Sequence, residues 1–482
     1  MIHPNPVPKA AGAGPMAGET YDVAIIGAGV VGCAIARSFA VRGWKALVVE
    51  KAADILEGAS KGNSALLHTG YDEPENSEEL KILRHGFDMY RRLHWRMNLP
   101  LVETSALVIA WNEAEEAKLA AICDLAHRNG VTDASIIGRQ ELRKREPNLS
   151  PDACGAVLIP GEAIIDPWSA PLGYMMQAVH YGTRLVTGAL LLQAERRNGA
   201  WSLATSAGTF QSRIVVNAAG LFGDEVEKLR GAQPAFTIRP RKGQFIVLDK
   251  PARSLVNAII LKVPNERTKG VLIAPTVFGN VIVGPTAEDQ DDRIHATCDA
   301  DMLRTIRADG ERMMPALAGQ TITATFAGLR PASEHRDYVL TVDPEGWITV
   351  GGIRSTGLSA SLGLGEWAAT QGSRILGDER SHPDDEKLYW PQMPNLSESA
   401  PRPYQCAGRE PIACHCEWVT EAQVTSALAG PVPARTLGGL KRRTRVMLGR
   451  CQGFGCTGNV ARLARHLMEP STSTASSAET DK

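Results

Sequence analysis

Nowhere does this chain run to the roughly 18 consecutive apolar residues that a helical membrane span requires, so no transmembrane segment is expected. Met1 to Thr20 also lacks the apolar stretch of a signal peptide, and without export to an oxidising compartment, disulfides are disfavoured as the use of the cysteines. Charge of one sign is missing too. The 52 basic and 53 acidic residues almost cancel, which removes the electrostatic footprint of a nucleic-acid binder and any strong steering of a partner. No internal repeat recurs at solenoid or propeller spacing. What remains is a cytoplasmic chain that touches the inner membrane peripherally if at all. Its 482 residues exceed what one hydrophobic core serves, and 44% apolar composition suffices for about two or three domains.

Nine cysteines are present, and four of them crowd the last fifth of the sequence, Cys414-His415-Cys416 and Cys451-Gln452-Gly453-Phe454-Gly455-Cys456. Close-spaced thiolate pairs suit an iron–sulfur cluster or zinc, because each pair clips one side of the metal and the intervening chain brings the pairs together. The single-residue gap between Cys414 and Cys416 fits a zinc ribbon poorly, so spacing favours iron–sulfur. Gly453 and Gly455 let backbone wrap closely around such a centre, and Arg442, Arg443, Arg445 and Arg450 are expected to set positive charge beside the anionic thiolates. Cys33, Cys123, Cys154, Cys298 and Cys406 are scattered and read as ordinary small apolar residues, with Cys406 near enough to substitute as a ligand. His415 reads as a loop residue, since adjacent side chains rarely all point at one metal.

Residues 1–20, rich in Pro, Ala and Gly, and the Ser/Thr-rich stretch 470–482 are expected to be disordered. Between Ser381 and Pro411 prolines accumulate without apolar periodicity, which reads as an extended linker over 381–405 that isolates a cysteine module at 406–469.

Tyr21 to Ile26 is a short apolar run of strand type, followed by Gly27-Ala28-Gly29-Val30-Val31-Gly32. Val31, Ile35 and Phe39 then repeat at helical spacing, Gly43 stops the helix, and a second strand, Ala46 to Val49, ends in Glu50. This is a βαβ unit of dinucleotide-binding type. Gly27 allows the tight turn, Gly29 lets backbone approach a pyrophosphate at the helix N-terminus, Gly32 permits helix–strand packing, and Glu50 can hold ribose hydroxyls. The fingerprint leaves FAD and NAD both open.

Further motifs resemble the D-amino-acid oxidase-like FAD-dependent oxidoreductases: Gly58 to Ser64, Leu67-His68-Thr69-Gly70-Tyr71, Val215 to Gly220, Arg239 to Gln244, Lys269 to Thr276, Val283 to Ala287, Gly328-Leu329-Arg330-Pro331 and Gly351 to Leu358. The resemblance spans most of residues 21–380 and is nearest to the branch of 2-hydroxyglutarate oxidases and anaerobic glycerol-3-phosphate dehydrogenase large subunits. It implies FAD, held at Gly27, Gly29, Gly32, Glu50, Ser60, Asn63, Ser64, Ala219, Gly220, Gly352, Gly357 and Leu358. The implied fold is α/β: a doubly wound FAD-binding domain (about 21–95, 150–230 and 325–380) with an inserted, mostly antiparallel substrate domain (about 96–149 and 231–324), plus a small C-terminal α-rich Cys module. Gly243 to Leu248 and Val271 to Val283 suit strands of the inserted sheet. The module resembles bacterioferritin-associated ferredoxin, which implies a [2Fe–2S] cluster on Cys414, Cys416, Cys451 and Cys456.

The chemistry so implied is hydride transfer from a carbon bearing hydroxyl or amine to the flavin. Arg330 is expected to clamp a carboxylate or phosphate, and Arg354 to stabilise a reduced anionic flavin. His68 is the expected proton acceptor, with Tyr71, Lys242 and Lys269 as further pocket residues. A flavin holds two electrons and an iron–sulfur centre carries one at a time, so a dehydrogenase passing electrons to an acceptor subunit or quinone is expected. An amine or amino-acid oxidase of the same fold, or a non-catalytic electron-transfer subunit, are the alternatives.

Overall fold

A computed structural model describes residues 19–264, 270–406, 408 and 410–468. The disorder expected of the two ends therefore falls almost wholly outside the described residues, although Thr20 already belongs to the first strand, Thr20–Ile26.

Two sheets dominate. The first has eight strands, and its parallel centre runs Trp347–Gly351, Gly208–Asn217, Thr20–Ile26, Ala46–Glu50, Arg184–Thr187. Parallel strands need both faces covered, and the sequences comply: Val23, Ile25, Val48 and Val216 are buried beneath helices, while Ala24, Leu47, Val49 and Val215 face a second cluster with Trp201 and Trp347. The helices Val30–Ala40 and Gly357–Leu376 pack on each other across that first face. They approach closely because Gly365 has no side chain: a Cβ there would lie 2.8 Å from the Ala34 carbonyl oxygen.

The second sheet has nine strands and is antiparallel except where Ile259–Lys262 runs alongside Ala106–Ala110. Its spine is the long ladder between Ile238–Leu248 and Ile322–Ser333. Boundaries differ from expectation in two places. Gly155–Ile159 pairs with Ala106–Ala110 and Ser135–Gly138 in this second sheet, although the stretch from residue 150 was expected in the nucleotide domain. All five of its residues are buried, so its pattern carries no sign of which sheet covers it. The inserted segment also continues to Ser333, past residue 324, because the ladder partner of Ile238–Leu248 is one unbroken strand.

The Pro-rich stretch 381–405 is not an extended spacer. Apart from a short turn at Asp385–Lys387 and a helix that opens at Pro403, its backbone is irregular, yet Leu388, Met393 and Leu396 are buried, the Arg37 guanidinium lies over the Trp390 ring, and backbone bonds tie Met393 to Met97 and Glu398 to Val277. The cysteine module is accordingly packed against the body rather than isolated from it. It comprises a short hairpin, Ile412–Cys414 with Val419–Thr420, and the helices Glu421–Ala429, Leu437–Thr444, Thr457–Leu463 and Arg465–Met468. Its own core holds Ala413, Val419, Val424, Leu440, Val446 and Val460 together with Cys414 and Cys456.

Candidate functional site

Everything at the nucleotide end follows from two glycines. Gly27 sits at φ +105°, a backbone state that side chains disfavour, and a Cβ there would meet the Ala218 carbonyl oxygen at 2.7 Å. At Gly32 a Cβ would lie 2.0 Å from the Gly27 carbonyl oxygen, so the helix Val30–Ala40 seats on its strand only with hydrogen at this position. That helix has no acidic residue in its first turn and no cap from its own Gly29. Ser60 does the capping from 30 residues away, its Oγ accepting the Val30 N–H at 2.9 Å. The remaining N–H groups and the positive end of the helix dipole suit an anionic group. Glu50 turns inward, accepting from the backbone N–H of Ala28 (2.7 Å) and of Ala52 (2.8 Å), and burial raises its pKa.

Asn63 shapes the following loop, accepting from Ala65 N–H and donating to the Ser60 carbonyl, with Ser64 beside it. Ala219 and Gly220 (φ +54°) follow the buried Asn217, whose Oδ1 accepts the Ala219 N–H. Gly352 (φ +67°) ends the strand Trp347–Gly351, and Gly357 opens the helix Gly357–Leu376, with Leu358 packed on the core. The first turn of this second helix is also bare of acid and has no side-chain cap, and a Cβ at Gly357 would come 3.8 Å from Val31. Two acid-free helix N-termini thus converge. The shape of these glycines and the open N–H groups fit a dinucleotide.

His68 lies inside a nest of carboxylates. Its Nδ1 is 2.8 Å from Glu162 Oε1, and its Nε2 is 3.1 Å from Asp72 and 3.5 Å from Glu73. Burial opposes its charge, but the Glu162 carboxylate, with Asp72 and Glu73, outweighs burial and holds the imidazole pKa well above its ordinary value. These carboxylates therefore favour the protonated imidazole over the neutral form expected of a proton acceptor. None of these acids was foreseen, since Glu162 stands 94 residues from His68 in a turn with no sequence signature. Tyr71 packs edge-on against the His68 ring, and burial raises its pKa.

Arg330 is a cation with no carboxylate within ion-pair distance among the described residues. It stands on Ile322–Ser333 directly across from Arg241, over Gly243, where a Cβ would collide with its guanidinium at 2.6 Å. The guanidinium donates to the Thr286 carbonyl at 3.4 Å, a long bond to a neutral group. Burial, aided by the neighbouring Arg241 charge, pushes its pKa down to about 10. The cations around it are occupied: Arg241 with Asp289 and Lys242 with Glu288. Lys269 lies outside the described residues.

Arg354 corrects an expectation. It was expected to bring free positive charge to a flavin, but it pairs with the buried Glu79 at 2.9 Å, and Thr356 Oγ1 donates to the other oxygen of the same carboxylate. The basic stretch beside the cysteines corrects another. Arg443 pairs with Asp54, Arg442 with Glu57, Arg445 with Glu417, and Arg450 approaches Asp249, so these charges are taken up by carboxylates rather than left to the thiolates.

The four clustered cysteines meet as two couples. Cys416 neighbours Cys451 and Cys414 neighbours Cys456, each thiol influencing the titration of the other in its couple. The Gly455 N–H donates to Cys451 Sγ at 3.4 Å and lowers that thiol's pKa, whereas burial raises Cys416 and pushes Cys456 up to about 12. His415 faces the Trp418 ring edge-on.

Comparison with known proteins bears on the whole assembly. The family model of FAD dependent oxidoreductases, DAO, matches residues 22–371. A glycerol 3-phosphate dehydrogenase of Caloramator mitchellensis is 32% identical, over 93% of this chain and 94% of its own. One of the subunits of the anaerobic glycerol-3-phosphate dehydrogenase of Escherichia coli K12 is 27% identical, over 92% of this chain and 88% of its own. Among solved structures, an FAD-bound L-alpha-glycerophosphate oxidase from Mycoplasma pneumoniae superposes with a TM-score of 0.68 at 27% identity, covering 79% of this chain and 98% of its own.

The glycine contacts yield a direct test. Gly32→Val drives methyl groups into the Gly27 carbonyl, so the purified variant should lack the visible flavin absorption of the wild-type protein at equal concentration. Full absorption in the variant would show that this turn does not form the cradle.

Proposed function

The chain belongs to the DAO family of FAD-dependent oxidoreductases, and on that premise we propose that it is a dehydrogenase of glycerol 3-phosphate or a closely similar small anionic alcohol. The observation that carries this reading is Arg330, a largely buried guanidinium with no carboxylate partner among the described residues. A buried cation costs several kcal/mol in desolvation unless an anion compensates it, and phosphate matches guanidinium geometry well. The relatives named for glycerol 3-phosphate support the same substrate class.

FAD bound at Gly27, Gly29, Gly32, Glu50 and Ser60 supplies the acceptor for the hydride that leaves the carbinol carbon. Arg330 holds the substrate's anionic group. His68 takes the hydroxyl proton once its own proton has been lost, and Glu162 fixes its ring by the bond to Nδ1. Cys414, Cys416, Cys451 and Cys456 are the residues that would hold a [2Fe–2S] cluster, whose chemistry is one-electron carriage toward an acceptor subunit or quinone. Their pairing supports two metals better than one: around a single tetrahedral zinc, with bonds of about 2.3 Å, all four sulfurs would sit about 3.8 Å apart. Among the described residues, however, no three of these thiols gather within 4.8 Å. The alignment with a relative named as one part of a multi-subunit dehydrogenase supports a separate acceptor protein. No helix among the described residues is long and apolar enough to cross a membrane, and membrane contact, if made, is proposed as peripheral to a cytoplasmic protein.

Four outcomes are expected. Arg330→Leu should raise KM for glycerol 3-phosphate about tenfold to hundredfold while leaving turnover of unphosphorylated glycerol unchanged, since one charged hydrogen bond is worth about 1.5–3 kcal/mol; equal loss on both substrates would contradict the clamp. In single-turnover mixing, the rate of flavin bleaching should rise with pH through an inflection above the ordinary imidazole value of about 6.5, because the raised pKa keeps His68 protonated until then. His68→Asn should remove that inflection and slow bleaching by about 10²–10⁴-fold, and a persisting inflection would assign the proton to another group. Anaerobically purified protein should contain iron and acid-labile sulfide in equal amounts, both lost in Cys451→Ser; zinc in their place would overturn the cluster assignment.

A further inference from the structure

The arginines of the cysteine module grip the same loop that completes the nucleotide cradle from its other side. Residues 51–60 leave the strand Ala46–Glu50 and return to the first helix. On the cradle side, Leu56 N–H donates to the Ala28 carbonyl (3.0 Å) and Ser60 Oγ accepts the Val30 N–H (2.9 Å). On the module side, Arg443 forms two bonds to the Asp54 carboxylate, 2.8 and 3.1 Å. Its other donors reach the carbonyls of Val432, Gly439 and Pro433, which accounts for all five guanidinium hydrogens. Asp54 is equally spoken for: it also accepts the N–H groups of Arg435 and Ile55. Both side chains of this pair are almost wholly buried, 6% and 2% exposed.

A second contact lies beside the first. Arg442 donates to Glu57 and to the Ile55 carbonyl, and Thr436, which caps the helix Leu437–Thr444, donates to the same Glu57 oxygen. The fit leaves no room for a side chain at Gly439, whose Cβ would lie 1.8 Å from Asp54 Oδ2. Between the two grips, Leu56 stands in the left-handed region at φ +63° with its side chain buried. A branched residue stays there only when its surroundings over-determine it, and here the determinants come from the nucleotide domain and the cysteine module together.

We propose that the cysteine module is a clamp on the flavin-binding loop, with Arg443 as its positioning residue, so that FAD retention depends on module docking. Arg443 touches no reacting atom. It holds Asp54, Asp54 and its neighbours hold the turn at Leu56, and that turn holds Ala28 and, through Ser60, the first N–H of the phosphate-binding helix. The coupling is reciprocal: whatever docking contributes to FAD affinity, bound FAD returns to docking. The inference rests on the assignment of the cradle to FAD but not on the substrate.

Full-length protein tests it through the equilibrium for FAD rather than through turnover. Apoprotein is titrated with FAD, following quenching of flavin fluorescence, in wild type, Arg443→Gln, Arg443→Lys, Thr436→Val and Arg462→Gln. The last breaks an exposed pair with Glu421, which among the described residues makes no hydrogen bond or ion pair with the loop 51–60, and serves as the control. Arg443→Gln should raise the Kd for FAD by about fivefold to 150-fold, the usual range of coupling between sites. Arg443→Lys, which keeps charge but not the two-pronged geometry, should fall between, and Thr436→Val should show a smaller rise should Arg443→Gln fail to fold. Saturating FAD should also slow proteolytic cleavage of the wild-type module. A Kd within about twofold of wild type in both Arg443→Gln and Thr436→Val would overturn the clamp, and so would an equal rise in Arg462→Gln. Wild-type protein that binds no FAD would instead overturn the cradle assignment.

Discussion

The contact between Gly32 and the carbonyl of Gly27 is the constraint on which the remainder depends. Because nothing larger than hydrogen fits there, the helix Val30–Ala40 lies flat on its strand with its first turn open. That opening gives an anion-binding end capped by a hydroxyl supplied from Ser60. The strand order then places Ala218 and Gly220 on one side of the turn and Glu50 on the other. The second bare helix end, at Gly357, reaches the same place because small residues along Gly357–Leu376 let the two helices pack at backbone distance.

Charge is distributed with similar economy. Most buried or half-buried arginines have carboxylates: Arg42 with Glu366, Arg293 with Asp224, Arg354 with Glu79, Arg443 with Asp54 and Arg445 with Glu417. Removing one partner of such a pair leaves an uncompensated buried charge, a cost of about 3–5 kcal/mol, so these pairs tie the elements they join to one arrangement. Against that background Arg330 departs from the rule. The surplus runs the other way at His68, where several acids surround one imidazole.

Much of the nucleotide half was legible in the sequence, because its signals are local. Gly27, Gly29, Gly32 and Glu50 lie within 24 residues, and each is explained by its immediate neighbours along the βαβ unit. The cysteines were visible as two close-spaced pairs, but the couples form across those pairs, Cys416 with Cys451 and Cys414 with Cys456. What escaped depends on distant partners. Glu162 meets His68, Glu79 meets Arg354, and Asp54 meets Arg443 across 94, 275 and 389 residues, and no period or motif announces such pairs. The Pro-rich stretch misled for a different reason: proline disfavours helix and sheet interiors but does not bar burial, and Met393 and Leu396 are core residues in irregular backbone.

The most direct test of the central claim is an anaerobic titration of the flavin-loaded protein with glycerol 3-phosphate, monitored at the flavin band, with 2-hydroxyglutarate and a panel of amino acids in parallel. Stoichiometric bleaching by glycerol 3-phosphate or the hydroxy acid is expected, with none by the amino acids. Bleaching by an amino acid alone, or by none of the three, would contradict the assignment of an anionic alcohol as substrate.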